Sequence, residues 1–134
     1  MRTFVVSLPV KDVAASGNFF TQLGFRFDPG IGDERAAGVV VADNALVLLF
    51  PEDRFREFIN GEISADGTEV ILTVSAESRQ EVDETLRKAL AAGGRPWKPT
   101  LDQGPMYAAS FQDLDGHVWE VLHMDYSATA GGQD

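Results

Sequence analysis

The feature that most constrains the fold is an order of predicted elements that occurs twice along the chain. In each half, a strand pattern is followed by a helix pattern and then by three further strand patterns. The positions that correspond between the halves are the helix-ending glycines, Gly24 and Gly93-Gly94, and the hairpin turns, Asp43-Asn44 and Asp115-Gly116. The repeat predicts an α+β fold of two βαβββ modules.

Apolar spacing and turn residues give the elements of the first module, at about residues 1–60. Asp12 is placed to cap a helix, and Pro51 opens a short amphipathic segment with acidic residues in its first turn. The expected strands are residues 3–10, 25–28, 37–41 and 45–50, and the expected helices are residues 13–23 and 51–59.

The second module, at about residues 61–126, contains a capping box from Ser78 to Glu81 that begins its helix. The expected strands are residues 69–75, 95–98, 106–112 and 117–124, with a loop at 99–105. Residues 127–134 are small and polar, which is typical of a flexible tail.

The strand after Asp115-Gly116 carries an acid among apolar residues. Its side chains alternate, with Val118, Glu120, Leu122 and Met124 on one face and His117, Trp119, Val121 and His123 on the other. A lone carboxylate on a partly buried face costs free energy unless it is paired, protonated or bound to a cation. Glu120 is therefore the first candidate functional residue.

Composition excludes several function classes. The net charge of −10 argues against binding to a nucleic-acid backbone. It is first of all typical of a solubilising acidic surface, and it would also attract a cationic or metal-bearing ligand. There is no cysteine, so a disulfide, a thiol nucleophile and a thiolate metal site are all excluded. No apolar run approaches the ~20 residues of a membrane helix, and no targeting segment is visible, so a cytoplasmic location is expected.

Two stretches carry a family resemblance. They are the run from Leu8 to Val13 with the Phe-Phe-Thr-Gln-Leu-Gly-Phe of residues 19–25, and the Phe-Gln-Asp-Leu-Asp-Gly-His-Val-Trp-Glu-Val of residues 111–121. With the repeated order, they resemble the vicinal oxygen chelate superfamily of glyoxalase I, bleomycin-resistance proteins and extradiol dioxygenases. The resemblance implies one domain over residues 1–126, a mixed sheet curled into a cup, and a homodimer.

The resemblance also implies four metal-ligand positions, two in each module. By register they are Val5, Leu48, Glu69 and Glu120. Val5 and Leu48 cannot ligate a metal, which leaves two carboxylates. Such a pair suits a hard divalent cation weakly and Zn²⁺ poorly. The cofactor therefore stays open between a weakly bound divalent metal and none.

Three roles for Glu69 and Glu120 remain open. They could bind a metal that positions the oxygens of a substrate, as in a glyoxalase-like lyase or isomerase. They could act together as an acid/base pair without a metal. They could instead make a polar contact in a protein that only binds a small molecule, such as a resistance protein for a cationic antibiotic.

Further residues are expected to line the ligand site. Ser7 and Phe50 share the side-chain direction of the ligand positions on their strands, and Trp97, Met106 and Tyr107 flank the loop at 99–105. Aromatic and methionine side chains form an adaptable, mostly apolar wall.

Overall fold

Two mixed β-sheets organise the protein, one in each half of the chain. The structure is a computed structural model that describes residues 2–29, 36–64 and 66–125, so the expected tail at 127–134 lies outside the described residues. The chain divides into two compact units, Met1–Glu69 and Val70–Asp134.

The first unit contains a four-stranded sheet in the order β1-β4-β3-β2. Its elements are β1 (Phe4–Val10), α1 (Val13–Gln22), β2 (Arg26–Pro29), β3 (Ala37–Ala42), β4 (Ala45–Pro51) and α2 (Glu52–Arg56). β1 is parallel to β4, and the other pairs are antiparallel. The Asp12 side chain accepts a hydrogen bond from the backbone N–H of Ala15, which is the predicted cap of α1.

The second unit repeats this plan, with strand order β5-β9-β8-β6 and a further strand, β7, paired with β8. Its elements are β5 (Ile71–Ser75), α3 (Arg79–Ala91), β6 (Arg95–Pro96), β7 (Leu101–Gln103), β8 (Met106–Gln112) and β9 (Val118–Met124). β5 is parallel to β9, as β1 is to β4. The Ser78 hydroxyl caps α3 by accepting from the N–H of Glu81. The α+β class with two βαβββ units is confirmed.

Four elements differ from the sequence prediction by two residues or more. One is β6, which ends at Pro96 rather than at residue 98. β7 lies inside the stretch 99–105, which was predicted to be a loop. Its exposed Leu-Asp-Gln sequence shows no apolar alternation, so the sequence pattern gives no sign of a strand. β5 begins at Ile71 rather than at residue 69. α2 is five residues long rather than nine, and it ends at its C-cap Glu57.

One face of each sheet forms the core of its unit. In the first unit the row Leu8–Leu49–Ala37 is buried, and α1 covers this face with Phe19 and Phe20. Burying each phenylalanine contributes about 2–3 kcal/mol.

The second unit is built in the same way. Trp119 and Phe111 are cross-strand neighbours on β9 and β8, and both are buried together with Val82 and Ala89 of α3. Tyr107 shares the side-chain direction of Phe111 on β8, and its hydroxyl reaches Asp83 of α3, so α3 lies on this face. The opposite face of the sheet is the one that carries Glu120.

Close packing explains a glycine inside α1. A Cβ placed on Gly17 would lie 2.3–2.8 Å from ring atoms of Phe27 on β2. We expect Gly17→Ala to lower the free energy of unfolding by about 1–3 kcal/mol, because the ring must shift and this outweighs the better helix propensity of alanine. Urea unfolding followed by circular dichroism measures the change.

The matched control is Gly17→Ala in a protein whose residue 27 is smaller than phenylalanine. In a Phe27→Leu background, Gly17→Ala should cost much less, and the two changes should therefore be strongly non-additive. Additive costs would show that the packing against Phe27 does not explain the glycine.

Candidate functional site

Glu120 lies in a row of polar side chains that crosses three strands. Thr73 of β5 and Ser110 of β8 are its cross-strand neighbours, so all three point to the same side of the sheet. The Thr73 hydroxyl donates to Glu120 Oε1 over 3.0 Å. The Ser110 hydroxyl accepts from the backbone N–H of Lys98 over 3.1 Å. Glu120 is half-buried, while Thr73 is exposed.

Apolar side chains continue this face toward the end of β9. The Glu120 face is defined here as the side of the second sheet opposite α3 that carries Thr73, Ser110, Glu120, Leu122, Met106 and Met124. Met106 pairs with Met124, and both are half-buried. The face therefore places one carboxylate with two hydroxyl groups at its centre and two thioethers at one end.

The first unit has the same row with different chemistry. Ser7 pairs with Leu48, and Leu48 pairs with Gly38, just as Thr73, Glu120 and Ser110 do. A hydroxyl group recurs on the outer strand, at Ser7 and Thr73. Leu48 occupies the place that Glu120 takes in the second unit, so this first row has no acid.

The strand pairs also locate Glu69 and Val5. Thr73 is the β5 residue beside Glu120, and Glu69 lies four residues earlier, exposed and outside the strand. Val5 pairs with Leu46, and the second-unit pair at the same place is Ile71 with Val118. Val5 and Ile71 are both exposed, at 44% and 54%.

The predicted lining residues fall in different environments. Ser7 is exposed on β1, whereas Phe50 is buried and packs edge-on against Phe58 with ring centroids 5.1 Å apart. Trp97 is 37% exposed between β6 and β7. Met106 belongs to the Glu120 face, but Tyr107 points to the α3 side and donates to Asp83.

Comparison with known proteins identifies the family of the chain. The sequence model of the glyoxalase/bleomycin resistance protein/dioxygenase superfamily matches residues 3–121. The chain belongs to this superfamily. The resemblance drawn from the sequence is thus confirmed, whereas none of the curated proteins compared with the chain matches it significantly.

Solved structures of other proteins have the same fold. A hypothetical protein, SA1046, from S. aureus superposes with a TM-score of 0.82 at 24% identity, covering 92% of this chain and 94% of that one. A glyoxalase/bleomycin resistance protein/dioxygenase family enzyme from Burkholderia phytofirmans PsJN gives 0.76 at 18% identity, covering 92% and 99%. A glyoxalase-related enzyme from Fulvimarina pelagi gives 0.75 at 19%, covering 91% and 87%.

The row around Glu120 does not by itself supply the superfamily's metal-ligand set. Its donors are one carboxylate, already hydrogen-bonded through Oε1, and two hydroxyl groups. Divalent cations in proteins take several carboxylate or nitrogen ligands. Within residues 2–29, 36–64 and 66–125, no group of three or more histidine and acidic side chains could hold a metal ion. The same part of the chain has no helix that is long and apolar enough to cross a membrane.

A buried aspartate, which the sequence did not single out, shapes the turn before β9. Asp113 Oδ1 accepts from the N–H groups of Asp115 and His117, both at 3.0 Å, and Oδ2 accepts from Trp119 Nε1 at 3.0 Å. The side chain is 3% exposed. Burial raises the pKa of the Asp113 carboxyl above its usual range, while nearby His117 and the three donors act in the opposite direction. The signal in the sequence was the Asp-x-Asp-Gly spacing at 113–116.

Replacing this carboxylate should destabilise the second unit. Asp113→Asn puts an amide N–H where one of the acceptor oxygens lies, so at least one of the three donors, the buried indole and two partly buried backbone N–H groups, loses its partner. We expect a loss of about 1–3 kcal/mol in the free energy of unfolding. Chemical denaturation measures it, and Asp43→Asn, at the exposed turn of the first unit, is the matched control.

A double-mutant cycle isolates the hydrogen bond from the Trp119 indole to Asp113. Asp113→Asn combined with Trp119→Phe should cost clearly less than the sum of the two single changes, because the second variant removes the donor that the first leaves unpaired. An Asp113→Asn protein as stable as the parent would contradict this account of the turn.

The raised pKa of Asp113 also predicts a pH dependence. Folding takes up a proton between the unfolded and folded pKa values, so the stability from this group is fullest below the unfolded pKa. It falls as the pH rises through the folded pKa. We expect the difference in unfolding free energy between the parent and Asp113→Asn to decrease as the pH rises from below the ordinary aspartate pKa of about 3.9 through the raised pKa of Asp113. A difference that grows over this range would contradict the raised pKa.

Proposed function

We propose that the protein binds a small molecule through the Glu120 face, with a cationic or hydrogen-bond-donating group of the ligand at Glu120. The hydrogen bond from Thr73 to Glu120 Oε1 is the observation that carries the proposal, because it holds a half-buried carboxylate in one orientation. In the described part of the chain, Oε2 has no hydrogen-bonding partner. A ligand donor can therefore bind this oxygen in place of water.

The rest of the face suits an apolar body attached to that group. Leu122, Met106 and Met124 continue from Glu120 toward one end of the sheet. Four residues along a strand span about 13 Å, so the apolar contacts lie within one ligand length of the carboxylate. Thioether side chains adapt to flat or irregular ligands and contact aromatic rings favourably.

Charge supports a cationic ligand over an anionic one. The formal net charge of −10 attracts cations toward the protein over distances of about one Debye length. The superfamily's description covers glyoxalases, bleomycin resistance proteins and dioxygenases, so membership alone does not choose between catalysis and sequestration. A homodimer and a cytoplasmic location belong to the same proposal.

A second candidate function is favoured by the unpartnered oxygen of Glu120. Oε2 could accept a proton from a bound substrate, which would make the protein a lyase or isomerase that uses Glu120 as a base. Glu69 enters this candidate as the other member of a carboxylate pair, for metal binding or proton transfer.

The binding proposal predicts that removing the charge of Glu120 lowers the affinity for a cationic ligand. We expect isothermal titration to show saturable binding of a phenylalkyl-trimethylammonium probe. Glu120→Gln should weaken it about 10- to 100-fold, because a contact between opposite charges becomes one with a neutral amide. Glu62→Gln, which removes an exposed acid in the first unit, should leave the affinity unchanged.

A neutral probe of the same length distinguishes the contribution of the charged head group to the affinity from that of the apolar body. It should bind the parent more weakly and should respond little to Glu120→Gln. Equal binding of the cationic probe by the parent and by Glu120→Gln would refute the role of Glu120. Stoichiometric Mn²⁺ binding that disappears in both Glu69→Gln and Glu120→Gln would instead support the metal-dependent enzyme.

A further inference from the structure

Arg79 makes several contacts with the short β7–β8 hairpin, and the proposed binding role of the Glu120 face does not explain these contacts. Arg79 is the first residue of α3, and its guanidinium contacts three positions of the β7–β8 hairpin. One nitrogen lies 3.0 Å from Asp102 Oδ1 on β7, and another donates to the carbonyl oxygen of Gly104 in the turn over 3.0 Å. The guanidinium carbon also lies 4.8 Å from the ring centroid of Tyr107 on β8.

The next turn of α3 adds a fourth contact. The Tyr107 hydroxyl donates to Asp83 Oδ1 over 2.6 Å, and Asp83 follows Arg79 by four residues, so both lie on one side of the helix. This hydrogen bond is the main cause of a raised pKa at Tyr107, so its proton stays available for donation at neutral pH. The beginning of α3 therefore contacts both strands of the hairpin.

Little apolar burial holds the hairpin in place. β7 has three residues, all exposed, and within the described residues it pairs with β8 alone. The turn is tight, with Gly104 at a φ of +64°, and the Pro105 carbonyl oxygen accepts from the N–H of Asp125 over 2.8 Å. β8 is held along its whole length by its pairing with β9, so the polar contacts from α3 have their largest share in fixing β7 and the turn before Met106.

We propose that Arg79 is a positioning residue that sets Met106 and Met124 at the end of the Glu120 face. Met106 follows the turn directly and pairs with Met124, so a displacement of the hairpin displaces this methionine pair. Arg79 itself lies on the α3 side of the sheet and does not contact the ligand. The inference rests on the proposed binding function only for its effect on affinity.

Arginine is suited to this place and lysine is not. The planar guanidinium directs separate N–H groups to the Asp102 carboxylate and the Gly104 carbonyl, and its flat face lies on the Tyr107 ring. A lysine ammonium would keep the attraction to Asp102, but it would not reproduce this geometry. The two replacements should therefore differ in effect.

The methionines of the chain report on the hairpin directly. The chain contains three methionines, Met1, Met106 and Met124, so ¹³C-methyl labelling gives three assignable signals. We expect the signals of Met106 and Met124 to shift or broaden in Arg79→Gln and to change less in Arg79→Lys. Arg87→Gln is the matched control, because Arg87 lies on the same helix but pairs with Glu84. It should leave both signals in place.

Affinity gives the second measurement. For the phenylalkyl-trimethylammonium probe, Arg79→Gln should weaken binding roughly three- to tenfold, and Arg87→Gln should not change it. Asp102→Asn removes the partner of Arg79 instead of Arg79 itself. It should move the same two methyl signals, and it serves as the test if Arg79→Gln does not fold.

The outcomes separate this inference from the proposed function. Unmoved Met106 and Met124 signals in a folded Arg79→Gln protein would overturn the inference. Moved signals with an unchanged affinity for the probe would support Arg79 as the residue that positions the pair and would overturn the expected effect on affinity. If the parent binds no probe, the proposed function fails, and the methyl signals alone decide whether Arg79 positions the pair.

Discussion

The position of Glu120 depends on the buried carboxylate of Asp113. Its three accepted hydrogen bonds close the turn between β8 and β9 and bind the indole of Trp119 at the beginning of β9. A shift of one residue in this strand would turn Trp119 toward the Glu120 face and Glu120 toward the core. The polar contact that fixes the turn therefore also decides that Glu120, and not Trp119, lies on the Glu120 face.

The two units show how one backbone plan can carry different chemistry. Their strand pairs match residue for residue through the rows Ser7–Leu48–Gly38 and Thr73–Glu120–Ser110. The first row holds a leucine where the second holds an acid, so the first row avoids the cost of burying a charge. In the second row, the Thr73 hydroxyl offsets part of that cost for Glu120.

The sequence predicts the fold well because the fold depends on local signals. Caps at Asp12 and Ser78 and alternating apolar residues fix the elements, and each signal acts within a few residues. The side-chain direction of Glu120 followed from the same alternation, since the turn before it has a clear Asp-Gly signal.

The candidate site was harder to predict because it depends on contacts between distant strands. Glu69 and Thr73 have the same side-chain direction along the chain, and only the ladder between β5 and β9 identifies Thr73 as the neighbour of Glu120. Likewise, β7 is held by its hydrogen bonds to β8, and its own residues carry no strand pattern. Asp113 looked like one more turn residue until the indole of Trp119 supplied a partner for its second oxygen.

Taken together, the Glu120 face is held from two directions, by different kinds of interaction. Hydrogen bonds to the buried Asp113 carboxylate fix the end that carries Glu120, and the one from the Trp119 indole is shielded from solvent. Exposed contacts from Arg79 fix the end that carries Met106, and an ion pair such as that with Asp102, in which both side chains are about half exposed, is weakened by salt. The carboxylate end is therefore the more rigid one. It follows that a ligand would be oriented by its polar group, while the methionine end adapts to the shape of its apolar body.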